Sequence, residues 1–93
     1  MPRYLIERVY GEAEEQAMQE IGLRMKEVAQ ESFPDIAWEH SHVVSDESGI
    51  KSYCVYEAPS EDRLSEHAAQ VGGHTITHMF MIAGDVTPAD FPD

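Results

Sequence analysis

DIAWEHSHVVSDESGIKSYCVYE, residues 35–57, is the stretch from which the architecture can be read. In residues 35–44, Ile36, Trp38, His40, His42 and Val44 alternate with Ala37, Glu39, Ser41 and Val43, the two-residue period of a strand. Asp46-Glu47-Ser48-Gly49 supplies turn-forming residues, and residues 50–57, with Tyr53, Val55 and Tyr56, read as the returning strand of a hairpin. On the N-terminal side the period becomes helical over residues 12–32. Met18, Ile21, Met25, Val28 and Ala29 recur there at three- and four-residue steps. Glu12, Glu14 and Glu15 sit where the helix dipole favours acids, and Phe33-Pro34 ends the helix. Before it, residues 3–9 alternate Leu5, Glu7 and Val9 against Tyr4, Ile6 and Arg8, as a half-polar strand does.

On the C-terminal side a second helix opens at Ser60, a good N-cap followed by Glu61 and Asp62. It carries an apolar stripe of Leu64, Ala68 and Val71 and stops at Gly72-Gly73. Residues 75–82 are a β-branched and aromatic strand. The order strand, helix, strand, strand, helix, strand predicts an α+β fold, the ferredoxin-like βαββαβ sandwich, with two helices on one face of a four-stranded antiparallel sheet. The other face is left for a partner subunit or a ligand. Residues 1–83 form the domain, and the acidic stretch 84–93, with no period and two prolines, reads as an irregular tail.

The chain's 93 residues carry 18 acidic and six basic side chains, a formal charge of −12. Such a balance repels phosphate backbones and anionic lipid, so neither nucleic acid nor a membrane is an expected partner. No apolar run approaches the roughly 20 residues needed to span a bilayer. One cysteine forms no internal disulfide, and with no signal-peptide pattern the expected location is the cytoplasm. A domain of this size buries about 60–65% of its unfolded surface, so a homodimer is expected to add stability.

Five histidines, with Cys54 and Glu57, are the unusual chemistry. His40-x-His42 puts two imidazoles on one face of a strand, roughly 6–7 Å apart and able to share a metal. An odd number of turn residues would bring Cys54 opposite His40 or His42; the other register puts Val55 opposite His40 and removes Cys54 from the cluster. Glu57 ends its strand, and His67 lies on the edge of the second helix's apolar stripe, close to the sheet. Imidazole, thiolate and carboxylate together suit nickel, zinc or copper. Against this, strand histidines commonly hydrogen-bond within the fold, and a mid-strand cysteine commonly acts as a small hydrophobe. His74-x3-His78 on a strand would share a face but span about 13 Å, too far for one ion. Met79 and Met81 read as core filling. Trp38, Tyr53 and Tyr56 could line a pocket for a small organic molecule, with His40 and Glu57 as acid and base.

The run Tyr53-Cys54-Val55-Tyr56-Glu57-Ala58-Pro59, the acidic helix start and His67 that follow it, the opening MPRYLIER, and Trp38-Glu39-His40-Ser41 resemble a domain-of-unknown-function family. It comprises small ferredoxin-like proteins whose best-known member is an actinobacterial nickel-binding protein. The resemblance implies a cytoplasmic homodimer that binds nickel for storage or sequestration. It points to His40, Cys54, Glu57 and His67 as metal residues. Gly72-Gly73-His74 stands where that family has a Gly-x-Pro turn, so His74 joins His42 as a further candidate ligand. The expectation is a non-enzymatic transition-metal-binding protein. The alternatives are a dimeric enzyme acting on a small organic substrate and a plain dimerisation module.

Overall fold

In the computed structural model, which describes residues 1–91, each alternating run is a strand and each helical run a helix. In chain order they are β1 (Arg3–Gly11), α1 (Glu15–Ser32), β2 (Ala37–Asp46), β3 (Gly49–Glu57), α2 (Glu61–Val71) and β4 (Thr75–Met81). The sheet runs β2-β3-β1-β4 with every pair antiparallel, the ferredoxin-like α+β arrangement. Among the described residues no helix is long and apolar enough to cross a membrane.

The core lies between the helices and one face of the sheet. Tyr4 and Ile6 of β1 and Cys54 and Tyr56 of β3 meet Phe33, Ile36, Ala58 and Leu64 in one buried cluster. Ile21, Met25 and Val71 form a second where α1 and α2 approach. α2 begins where Ser60 accepts a hydrogen bond from the Arg63 amide, and it ends at Gly72, whose φ of 71° suits glycine. Arg63 clasps Asp35 through two bonds of 2.9 and 2.8 Å and lies 4.4 Å above the Phe33 ring, tying α2 to the α1–β2 connection. α1 starts three residues later than its acidic run, because Gly11, at φ 67°, still belongs to β1.

Two irregularities set which side chains face the core. The β2–β3 turn closes with Asp46 opposite Gly49. The Asp46 carboxylate accepts from the Ser48 amide at 2.8 Å, and a Cβ at Gly49 (φ 117°) would run into the Gly11 carbonyl. From this turn the register places His40 opposite Val55, Ser41 opposite Cys54 and His42 opposite Tyr53, until a bulge between Trp38 and His40 absorbs Glu39. Trp38 therefore stacks on Tyr56 on the helix side, with ring centroids 6.0 Å apart, while His40, His42 and Val44 face away. The single row from Ile36 to Val44 expected from alternation is broken in two. A second bulge, between Glu7 and Arg8 of β1, skips Thr77 of β4. Beyond β4 the described part of the tail, residues 84–91, holds one 3₁₀ turn at Pro88–Asp90, capped by Thr87, and Asp85 pairs with Arg3 at 2.6 Å. Pro92 and Asp93 of the expected tail lie outside the described residues.

Candidate functional site

The sheet divides the expected metal residues into two sets. His40 and His42 stand exposed on the face that the helices leave open, their ring centroids 5.4 Å apart and their planes at 75°. That is the same-face i, i+2 geometry of a strand. Glu57 shares this face at the far end of β3, half-buried opposite Ala37 and Arg3. Cys54 and His67 are on the helix side. Cys54 is a buried free thiol 3.3 Å from the Ser52 hydroxyl, and its cross-strand partner on β2 is Ser41, neither of the histidines. The even, two-residue turn gives the register that removes Cys54 from the histidine pair. Among the described residues no three His, Cys, Asp or Glu side chains come together in a way that could hold a metal ion. One centre built from His40, Cys54, Glu57 and His67 within a single chain therefore does not form; of the expected residues, His40 and His42 are the two whose rings lie together.

His67 lies deeper than the edge of the apolar stripe. It is 0% exposed, edge-on to the Phe33 ring at 5.5 Å. Its Nε2 is 2.9 Å from the Met25 carbonyl, which only accepts, so Nε2 carries the proton and Nδ1 is a bare lone pair. Burial pushes this imidazole below its ordinary value, so it is neutral at pH 7. His74 is likewise held neutral by burial. Its Nε2 accepts from Arg8 Nη1 at 2.9 Å, and its Nδ1–H donates to the Gly72 carbonyl at 2.9 Å. With both ring nitrogens engaged, His74 is a structural group.

His78 faces the opposite way from His74, a departure from the shared face expected of them, because the bulge at Glu7/Arg8 intervenes. It donates to Glu7 Oε1 at 2.9 Å, and Thr77 donates to the same oxygen at 2.6 Å. Met79 packs against the core as expected, whereas Met81 is exposed.

The aromatic residues do not form one pocket. Trp38 lines an open cleft of about 490 Å³ with Lys26, Ala29, Gln30, Pro34 and Ile36, a wall with no acid, thiol or imidazole. Tyr56 lies beneath Trp38, while Tyr53 is across the sheet, in a groove of about 270 Å³ with Leu5, Glu7, His78 and Phe80. The pairing of His40 with Glu57 as acid and base therefore has no aromatic pocket around it. The residue that sequence reading passed over is Arg8, fully buried on the core row of β1. Its parity with Tyr4 and Ile6 was the available signal.

By its fold the chain is a small ferredoxin-like α+β protein, with a histidine pair on the uncovered face of its sheet. A family model described as "Nickel responsive protein SCO4226-like" matches residues 4–82, and the chain belongs to that family. Among solved structures it is similar to SCO4226 from Streptomyces coelicolor A3(2), with a TM-score of 0.68 at 13% identity, over 90% of this chain and 99% of that one. At that identity the likeness speaks for the fold. No curated protein matches the chain.

Proposed function

We propose that this protein binds a nickel-type transition-metal ion at the exposed His40–His42 pair, as a cytoplasmic metal-sequestering protein without catalytic activity. The observation that carries this reading is the pair itself: two imidazoles 5.4 Å apart on an uncovered sheet face, in a chain of the nickel responsive family. Neutral imidazole suits nickel, zinc and copper, and two ligands leave the remaining coordination positions to water or to a second copy of the chain. A homodimer closing over the open face would supply that second copy. Phe80, 55% exposed there beside Leu5, favours such a partner. An ion held at a surface pair suits capture and release better than a reaction centre, which needs enclosure and fixed acid–base groups.

Calorimetric titration of metal-free protein with nickel, zinc and copper(II) salts at neutral pH tests the reading. Binding of one ion per chain, or one per two chains where a second copy completes the site, weakened about tenfold or more by His40→Ala and unchanged by Cys54→Ala, is the expected result. Binding indifferent to His40 but lost with Cys54 or His67 would move the site to the interior and overturn it. No stoichiometric binding at all would leave the chain a dimerisation module.

A further inference from the structure

Arg8 is the most enclosed cation of the chain, 0% exposed, and among the described residues it pairs with no carboxylate. A guanidinium does not deprotonate in proteins, so this charge persists inside the fold. One edge is used: Nη1 donates to His74 Nε2 at 2.9 Å and lies 3.9 Å from the Met25 sulfur, and the Tyr56 ring sits 5.2 Å from Cζ. The other edge, Nε and Nη2, meets no acceptor among the described residues.

Two other arginines show what that edge does. Arg3 turns Nε and Nη2 onto the two oxygens of Glu39 at 2.8 and 3.1 Å, and Arg63 turns the same atoms onto Asp35 at 2.9 and 2.8 Å. This side-on fork matches two coplanar oxygens. The chain has 18 acidic side chains and uses them on the half-buried Arg3 and Arg63, yet among the described residues none stands beside the buried Arg8.

We propose that the Nε–Nη2 edge of Arg8 is a seat for a small carboxylate-type oxyanion, such as formate, acetate or bicarbonate, held between the helices and the sheet. A cavity of about 90 Å³ lies in the same layer, lined by Tyr10, Met25, Ser52 and Cys54 and flanked at the β2 edge by Trp38 and Val43. Arg8 is not among its walls; the cavity adjoins it through Ser52, the cross-strand partner of Arg8, and through Met25, whose sulfur lies 3.9 Å from Arg8 Nη1. That volume is about three times water's share of the liquid, room for a three- or four-atom anion. His67 Nδ1 is also buried without a partner among the described residues, and the Tyr56 ring lies against both His67 and Arg8. This inference is independent of the metal reading, since the histidine pair lies across the sheet.

The test is nuclear magnetic resonance of the Arg8 Nε–Hε group in metal-free protein, titrated with sodium formate, acetate and bicarbonate. Sodium chloride and phosphate at matched ionic strength are the comparison arms. A saturable downfield shift of Arg8 Hε with the carboxylate-type anions, not shared by Arg3 or Arg63 and not produced by chloride, is expected. Arg8→Lys keeps the charge but loses the two-point edge, and should weaken the accompanying rise in Tm about tenfold in anion concentration. An Arg8 Hε indifferent to all three anions, or moved equally by chloride, overturns the proposal; a response to phosphate alone overturns its carboxylate form. Should Arg8→Lys fail to fold, the wild-type titration still decides.

Discussion

Glu7 shows how a few hydrogen bonds set one residue's chemistry. The Thr77 hydroxyl, then His78 and Tyr53, hold its carboxyl at about 2, against 4.5 for the free group. The unfolded chain thus takes up the proton first, and the stabilisation is complete above about pH 4.5 and lost as pH falls toward 2. Carbon-detected titration should find Glu7 ionised down to about pH 2, and Thr77→Val should raise its midpoint toward the ordinary carboxylate value. His67 obeys the same sign with a cationic acid. Burial, and secondarily the nearby Arg8 charge, lower its value below 6.5, while its bond to the Met25 carbonyl works against them. Below pH 6.5 the unfolded chain gains a proton that the folded chain resists, so stability falls as the solution is acidified. His74, shifted the same way by burial and Arg8, adds to the slope. Urea unfolding at pH 7.5, 6 and 5 should show a shallower loss in His67→Gln, which can still donate to Met25; an unchanged slope would assign it to other groups.

At the scale of the element, the β2–β3 hairpin decides most. Its two-residue turn requires Gly49 at φ 117°, where a side chain would also strike the Gly11 carbonyl. Gly49→Ala should therefore lower unfolding stability by about 1–3 kcal/mol in urea, from backbone strain and the displaced β1 end together. The elements themselves were legible in the sequence: both helices, all four strands and the Ser60 cap follow from local period and cap chemistry. The faces of β2 were not. Alternation put Trp38 in one row with His40 and His42, and the bulge at Glu39 sends it to the other side. A bulge relieves strain between two strands, and neither strand's sequence displays it alone.

The whole molecule has one covered and one uncovered sheet face, and its candidate residues sort by that division. The core face holds Arg8, Cys54 and His67; the open face holds the His40–His42 pair with Leu5 and Phe80. If a second copy covers the open face, light scattering should give twice the chain mass for the wild type, and Phe80→Asp should shift it toward the single-chain mass without loss of helical circular dichroism. A dimer that survives Phe80→Asp unchanged would place the interface elsewhere. The sequence by itself determined the kind and order of the elements and the presence of a histidine pair at strand spacing, because periodicity is a local property of the chain. Only the tertiary structure decided that Cys54 and His67 stand apart from that pair, and that Arg8 is buried without a carboxylate among the described residues. Register is set by turn closure and bulges between distant segments, and one residue of slip exchanges the two faces of a sheet.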